Sequence, residues 1–236
     1  MLDFNSKTHI SDRINYHIDA AIAAQAEQQR GYLGASIVGH ECERAVQYNY
    51  MATLGVVDKK PVEPRVKRIF DRGNVYEQKA IGWLCDAGFV FGGHQHRFSD
   101  FDGVFAGHCD GIIIDGPDCG VQLPALWECK CLQDKSFKAI IKDGLKKYSE
   151  AYWVQIHVYM AYLELERCLY TVVNANDMSL HHFVVDLDIE VARQGRQRVE
   201  RVLTATKLGE MVPRCTSDKN YFICKWCEFF STCWNK

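Results

Sequence analysis

Two carboxylates and a lysine on neighbouring predicted strands have the types and the spacing for metal-assisted hydrolysis. Glu128 and Lys130 stand two residues apart in LPALWECKC, so in a strand both side chains point to one face. Asp110 lies on the preceding strand, in VFAGHCDGIIID, and pairing of the two strands would bring it close to Glu128. Carboxylate oxygens are the ligands that Mg²⁺ and Mn²⁺ prefer. The sequence therefore predicts a divalent-cation site at Asp110 and Glu128.

A cation at this place would activate a water molecule and stabilise negative charge on a phosphodiester. Lys130 would orient that water or neutralise the charge that develops during attack. An isolated Glu-x-Lys pair is more commonly a solvated strand face, so the hypothesis depends on other motifs in the chain.

Two further motifs add polar groups to the hypothetical site. Glu77 lies in a long predicted helix upstream of the strands, where it could supply another cation ligand. Gln155 and Tyr159 are four residues apart and share one face of a later helix. An amide and a phenol hydroxyl beside a cation could hold a phosphate or a DNA end.

Cysteines are unusually frequent: the chain has eleven among 236 residues. Their number is odd and the N-terminus MLDFNSKTHISDR has no hydrophobic signal core, which predicts a cytoplasmic protein with reduced thiols. The triplet Cys224-x2-Cys227-x5-Cys233 has the spacing of metal ligands. A structural Zn²⁺ or an iron–sulfur cluster would fit, and each takes four ligands. The fourth ligand would be Cys215 nearby or Cys42 near the other end of the chain.

Basic and aromatic residues suited to nucleic acid follow the Glu-x-Lys strand. Phosphates would lie on the basic side chains and bases on the rings. The formal net charge is only −2, so the affinity for nucleic acid must come from such local faces. If one helix continues past Gly144, its lysines form a single stripe. The predicted contacts are Lys135, Lys138, Lys142, Lys146, Tyr152 and Trp153.

The elements that would position these residues are those of one α/β domain. Hydrophobic content of 47% and charged content of 25% are ordinary for a globular chain, and no apolar run approaches the ~20 residues of a membrane span. The pattern predicts a hairpin pair at 88–98 and 104–115 with a turn at Asp102–Gly103, then a third strand, helices and two more strands around a mixed sheet. We divide the single predicted domain, 1–236, into an N-terminal helical part (1–60), a core (61–187) and a C-terminal helix with the cysteine triplet (188–236).

Four motifs stand in the order shown by the RecB-like branch of the PD-(D/E)XK nuclease superfamily, which the chain resembles: G-x-x-x-E at 73–77, G-x-x-D at 107–110, E-x-K at 128–130 and Q-x-x-x-Y at 155–159. The resemblance implies a restriction-endonuclease-like core with a central mixed sheet flanked by helices. It also implies metal ligation by Glu77, Asp110 and Glu128, a catalytic role for Lys130, and substrate or site-ordering roles for Gln155 and Tyr159. Many iron–sulfur members carry His where this chain has Glu77, whereas phage lambda-type exonucleases use Glu.

The cysteines are similar to those of the iron–sulfur members, which include the CRISPR-associated exonuclease family and the AddB-type nuclease domain. These proteins have one cysteine before the nuclease core and a C-x2-C-x5-C triplet after it. The resemblance implies a [4Fe–4S] cluster on Cys42, Cys224, Cys227 and Cys233 that joins the terminal elements, with Zn²⁺ as the alternative.

The resemblance thus implies a metal-dependent DNA exonuclease that acts on single-stranded or frayed ends. Settings typical of the family are recombination or repair, phage replication and CRISPR spacer processing. No Walker A loop is visible, so unwinding would need a partner such as a helicase, a recombinase or a CRISPR integration complex. The alternatives are a non-catalytic nucleic-acid-binding module and a zinc-stabilised adaptor protein.

Overall fold

The computed structural model describes residues 10–25, 30–94 and 96–235, which form helices and strands in mixed order. No helix in these ranges is both long and apolar enough to cross a membrane. The α-helices are α1 (Ile10–Ala23), α2 (Glu43–Thr53), α3 (Pro64–Asp86), α4 (Asp134–Asp143), α5 (Leu145–Tyr148), α6 (Glu150–Tyr162), α7 (Ile189–Lys207), α8 (Phe222–Lys225) and α9 (Phe230–Trp234). The strands are β1 (Leu33–Gly34), β2 (Val90–His94), β3 (Arg97–Asp100), β4 (Phe105–His108), β5 (Gly111–Asp115), β6 (Ala125–Leu132), β7 (Arg167–Asn174) and β8 (Leu180–Asp186).

The central sheet has five strands in the order β2-β5-β6-β7-β8. β6 and β7 run parallel, and the other neighbouring pairs are antiparallel. β7 is apolar and buried along almost its whole length, because a central parallel strand is covered on both faces. The predicted mixed sheet flanked by helices is confirmed.

Side chains of β6 alternate between two hydrophobic clusters, one on each face of the sheet. Trp127 and Cys129 belong to the cluster that α3 covers, and Leu126 packs into the larger cluster with Ile156 of α6. This alternation directs Glu128 and the lysine two residues later to the α6 face, as their spacing predicts.

The predicted hairpin pair is bent, so that each of its two stretches forms two strands. β2 and β5 pair in the central sheet, whereas β3 and β4 pair in a second sheet of order β1-β4-β3. The predicted turn at Asp102–Gly103 does join β3 to β4, and Gly103 adopts a φ of 86°, which glycine tolerates. The bend between β4 and β5 falls at residues 109–110, so Asp110 lies at the junction of the two sheets rather than within a strand.

Helix α6 is held between the central sheet and α7. The Ser149 hydroxyl caps its N-terminus by accepting a hydrogen bond of 3.3 Å from the backbone N–H of Tyr152. On the α7 side, a Cβ at Gly195 would lie 2.8 Å from Val158 Cγ2, so only glycine permits this close approach. The tight packing fixes which face of α6 points to the sheet.

The C-terminal tail packs against α2. Arg44 Nε donates a hydrogen bond of 2.7 Å to the carbonyl oxygen of Val212, and the Gln47 amide bonds to the backbone of both Glu210 and Val212. Helix α2, from the N-terminal part of the chain, is therefore joined to the C-terminal tail by direct hydrogen bonds. The metal cluster expected at this junction stays a prediction.

Candidate active site and cysteine cluster

Glu128 and Lys130 form a buried ion pair in the middle of β6. Lys130 Nζ lies 2.9 Å from Glu128 Oε2 and donates a second hydrogen bond, of 3.0 Å, to the carbonyl oxygen of Cys129. The Glu128 side chain is only 1% exposed. Because charges are buried at a high cost unless they are paired, this contact fixes the two groups relative to each other.

Asp110 joins this pair from the bend between β4 and β5. Its Oδ2 accepts a hydrogen bond of 2.9 Å from the backbone N–H of Cys129 and lies 3.9 Å from Lys130 Nζ. The register of β5 on β6 pairs Gly111 with Trp127, which brings the preceding aspartate beside Glu128. The predicted proximity of the two carboxylates is therefore found in the structure.

Gln155 and Tyr159 reach the same place from α6. Gln155 Nε2 donates a hydrogen bond of 3.3 Å to Glu128 Oε2, and Tyr159 follows one turn later on the same face of α6. Burial and then the charge of Glu128 raise the pKa of Tyr159. The Tyr159 ring packs edge-on against Phe98, with centroids 5.6 Å apart. These contacts order the site and link the α6 face to the acidic residues.

Glu77 of α3 faces the same group of charges. Burial, followed by the negative charge of Asp110, raises the pKa of Glu77 to about 7, and Lys130 opposes the shift. Burial likewise raises the pKa of Glu128, against the opposing charge of Lys130. Burial disfavours the charged form of Lys130, yet Glu128 and Asp110 raise its pKa well above the ordinary value. Three carboxylates around one ammonium give the site an excess of negative charge.

The donor atoms of this site fit a hard divalent cation. Oε1 of Glu128 is buried and has no hydrogen-bond partner among the described residues. Oε2 accepts hydrogen bonds from both Lys130 and Gln155. A buried acceptor without a partner costs about 1–3 kcal/mol, and carboxylate oxygens suit Mg²⁺ or Mn²⁺. No three His, Cys, Asp or Glu side chains of the described chain stand ready to hold a metal ion as they are placed. The carboxylate side chains would therefore have to move to bind a cation. Without the cation, the positive charge of Lys130 offsets part of their negative charge.

Two tyrosines line the site beside the lysine, and one of them has no counterpart in the sequence-based prediction. Lys130 Nζ lies 5.8 Å from the centroid of the Tyr152 ring, a cation–π contact. The Tyr170 ring of β7 stands 6.3 Å from that of Tyr152, and its hydroxyl is buried without a partner in the described chain. The sequence shows Tyr170 only as one residue of a buried strand, because its pairing with β6 is a tertiary feature.

The predicted lysine stripe is interrupted. Helix α4 ends at Asp143, because Gly144 adopts a φ of 77° and α5 starts in a new direction. Lys135 and Lys142 are exposed, and Lys138 forms an ion pair of 2.8 Å with Asp134. The expectation of one continuous helical stripe is therefore wrong, whereas contact of the individual lysines with DNA stays a prediction.

The predicted aromatic contacts, Tyr152 and Trp153, lie on different sides of α6. Tyr152 faces Lys130, but the Trp153 ring packs edge-on against buried His157, with centroids 4.3 Å apart. Lys146 Nζ stands 5.7 Å from the centroid of the Trp153 ring on that other side. Adjacent residues are turned by 100° around a helix, which separates the two rings. The structure thus brings only Tyr152 to the acidic site.

A basic and aromatic cluster on the second sheet was not anticipated from the sequence. The Arg97 guanidinium lies 5.6 Å from the centroid of the Tyr32 ring, and the Tyr32 hydroxyl lies 3.4 Å from His108 Nδ1. Burial and the charges of Arg97 and Arg30 lower the pKa of His108. His108 ends β4, so this cluster lies at the end of the second sheet that leads into the bend with Asp110. The residues are far apart in sequence, and only the pairing of β1, β3 and β4 unites them.

The four predicted cluster cysteines lie around one narrow cavity at the junction of α2, α8 and α9. Cys42 is the N-cap residue of α2, Cys224 is buried in α8, and Cys227 and Cys233 follow. Cys215, the alternative fourth ligand, lines the same cavity as Cys42. The structure therefore brings both candidates to one place.

The chemistry of this donor set fits a thiophilic metal centre. All eleven cysteines lie in the described part of the chain and are free thiols. Burial, and then the neighbouring thiols of Cys42, Cys233 and Cys224, raise the pKa of Cys227. Thiolate ligands suit Zn²⁺ or an iron–sulfur cluster, which would hold the thiolates in their charged form. As placed, the thiols are not drawn together into a closed metal site.

Solved structures that share this fold include the alkaline exonuclease LHK-Exo from Laribacter hongkongensis. It has a TM-score of 0.55 and 19% sequence identity, over 82% of this chain and 93% of that chain. The complex of LHK-Exo with dAMP gives a TM-score of 0.57 at 19% identity and the same coverage, 82% and 93%. SSO0001 gives a TM-score of 0.51 at 13% identity, over 97% of this chain and 99% of that chain. The sequence matches no protein-family model and no curated protein.

At these identities the likeness establishes the fold. The chain has the mixed α/β fold, with a mixed sheet flanked by helices, that the sequence predicts, and it shares this fold with an alkaline exonuclease of known structure. The shared fold does not assign roles to individual side chains. Their roles as ligands or catalytic groups are argued from the geometry of the site.

Proposed function

We propose that this protein is a metal-dependent DNA exonuclease that hydrolyses phosphodiester bonds at single-stranded or frayed ends. The observation that carries the proposal is the convergence of Asp110, Glu128 and Lys130 at a sheet junction, with one Glu128 oxygen buried and without a partner among the described residues. The fold shared with an alkaline exonuclease supports it.

In this proposal Glu128 Oε1 and Asp110 hold a Mg²⁺ or Mn²⁺ ion, and Glu77 joins them. The ion would activate a water molecule and stabilise charge on the scissile phosphate. Gln155 fixes Glu128 by its hydrogen bond to Oε2, so the carboxylate stays in one orientation. Lys130 keeps its proton, because the surrounding carboxylates raise its pKa, and as an ammonium it neutralises charge on the attacked phosphate.

The DNA would lie on local positive surfaces beside this site, because the net charge of −2 attracts no polyanion by itself. Arg97 and His108 lie at the end of β3 and β4 that leads into the bend with Asp110, and exposed Lys135 and Lys142 of α4 lie on the segment that follows β6. Tyr152 offers a ring on which a base could stack. The structure of LHK-Exo with dAMP shows a nucleotide bound to that protein, which is consistent with an end-directed nuclease.

For the cysteines we propose a [4Fe–4S] cluster on Cys42, Cys224, Cys227 and Cys233, with Zn²⁺ as the alternative. Its role would be structural, since the cysteine cavity lies where the C-terminal tail meets α2. Recombination or repair, phage replication and CRISPR spacer processing are the proposed settings, with a helicase, a recombinase or a CRISPR integration complex as partner.

Degradation of single-stranded DNA labelled at the 5′ or the 3′ end tests the proposal. Anaerobically purified wild type should release labelled nucleotides only when Mg²⁺ or Mn²⁺ is present, and the label that is lost first gives the polarity. Glu128→Gln and Lys130→Ala should abolish release, whereas Lys219→Ala, in the C-terminal segment, should not change it. Wild type that binds DNA but leaves it intact with either cation would instead identify a binding module.

A further inference from the structure

Tyr170 lies beside the buried ion pair of the site. In the parallel register of β6 and β7 it is the direct partner of Glu128, so both side chains emerge on the same face. Tyr170 is 0% exposed, and its hydroxyl has no hydrogen-bond partner among the described residues. Unlike a hydroxyl at the surface, it has no bulk water to bond with.

The surroundings of this hydroxyl are the charged groups of the site. Burial raises the pKa of Tyr170 and the charge of Lys130 opposes the shift, so the ammonium is near the phenol. Lys130 Nζ also faces the Tyr152 ring at 5.8 Å, and the Tyr152 and Tyr170 rings are 6.3 Å apart. The two tyrosines and the lysine therefore form one packed group on the α6 face of the sheet.

A buried hydroxyl without a partner lowers the stability of the folded protein. In the cation-free protein, the Lys130 ammonium donates hydrogen bonds to Glu128 Oε2 and to the Cys129 carbonyl oxygen. A cation on Glu128 Oε1 draws electron density from the whole carboxylate, so Oε2 becomes a weaker acceptor toward the Lys130 ammonium. Lys130 then needs another acceptor, and the Tyr170 hydroxyl is the unused one beside it.

We infer that Tyr170 is a positioning residue: its hydroxyl accepts a hydrogen bond from Lys130 when Glu128 binds a cation, and so holds the ammonium beside the phosphate under attack. This inference rests on the proposed nuclease function. Tyr152 contributes the ring that the Lys130 ammonium faces, and Tyr170 contributes the hydroxyl that accepts the hydrogen bond.

The test compares Tyr170→Phe with Tyr50→Phe, a control on α2, which lies outside the site. Loss of a hydrogen bond to a charged group corresponds to roughly a tenfold to hundredfold drop in kcat. Tyr170→Phe should show this drop with an unchanged KM for DNA, whereas Tyr50→Phe should change neither kcat nor KM. The thermal midpoint of Tyr170→Phe without cation should be equal to or above that of wild type, because the change removes a polar atom that lacks a partner.

A second readout needs no DNA. Titration of the protein with Mg²⁺ should produce a near-ultraviolet tyrosine difference spectrum as the hydroxyl gains its partner. That signal should vanish in Tyr170→Phe and persist in Tyr50→Phe. A wild-type kcat in Tyr170→Phe, or a Mg²⁺-induced difference spectrum that persists in Tyr170→Phe, would overturn the positioning role. If wild type cleaves no DNA with any cation, the proposed function fails first, and this role fails with it.

Discussion

The backbone N–H of Cys129 donates a hydrogen bond of 2.9 Å to Oδ2 of Asp110. The contact ties the bend between two sheets to the strand that carries the Glu-x-Lys pair. Because Cys129 lies between Glu128 and Lys130, the same bond sets the distance of Asp110 from both. One backbone amide thus aligns the Asp110 carboxylate with that of Glu128.

Asp110→Asn should retain this bond, because the amide oxygen also accepts from the Cys129 N–H. The protein should fold with an unchanged thermal midpoint, while the loss of a negative charge weakens cation binding. We expect nuclease activity to fall by about a hundredfold or more at a fixed Mg²⁺ concentration. Calorimetric titration with Mn²⁺ checks the cause, and unaltered Mn²⁺ affinity in Asp110→Asn would argue against its role as a ligand.

Arg97→Ala and Lys142→Ala should weaken binding of single-stranded DNA in a salt-dependent way. Each phosphate contact that is lost should reduce the slope of log affinity against log salt by about 0.7. Fluorescence anisotropy with catalytically inactive Glu128→Gln protein measures the slope without cleavage. Lys219→Ala serves as the control for a general loss of positive charge, and equal slopes in all variants would place the DNA elsewhere.

Stability should fall in acid because of His157. Its Nδ1 accepts a hydrogen bond of 3.0 Å from the Asp188 N–H, and burial lowers the pKa of His157 to about 4. The unfolded chain, with a histidine pKa of about 6.5, therefore binds more protons between these values, so stability is present above pH 6.5 and is lost as pH falls toward 4. The loss is at most roughly 3 kcal/mol.

The control for this prediction is His157→Asn, whose side-chain oxygen can accept from the same N–H but does not titrate in this range. Thermal midpoints measured from pH 7 to pH 4 should decline less steeply in His157→Asn than in wild type. Parallel curves for the two proteins would show that other groups control the acid sensitivity.

Replacement of a cluster cysteine should remove metal and destabilise the junction of the chain ends. Cys224→Ser or Cys227→Ser should lower the iron and sulfide content of anaerobically purified protein and reduce the thermal midpoint by about 5 °C or more. Cys119→Ser, an exposed cysteine remote from the cavity, is the matched control. Zinc without iron in wild type would select the alternative cofactor, and no metal at all would contradict the proposed centre.

The sequence predicts those features that local pattern determines. The C-terminal helix predicted within 188–236 is α7, Ile189–Lys207, and Asp188 caps its N-terminus. Alternation along β6 likewise predicts the shared face of Glu128 and Lys130. The condition for a single lysine stripe, one helix that continues past Gly144, is not met, because the lysine spacing continues through Gly144 although the helix does not.

Tertiary relationships are not contained in local pattern. The bend at residues 109–110 divides one predicted hairpin between two sheets, and nothing in the apolar run reveals it. Tyr170 meets Glu128 only through the register of two strands that are separated by three helices. The family resemblance implies that Cys42 lies beside the C-terminal cysteine triplet. Only the folded chain shows that Cys215 lines the same cavity as Cys42.

The most direct test of the nuclease proposal is to identify the product of DNA cleavage in ¹⁸O-labelled water. Wild type with Mg²⁺ should release nucleotides whose new phosphate oxygen is ¹⁸O, and mass spectrometry should find none from Glu128→Gln under the same conditions. DNA that remains intact with wild type, or equal release by Glu128→Gln, would contradict hydrolysis by a cation held at Asp110 and Glu128.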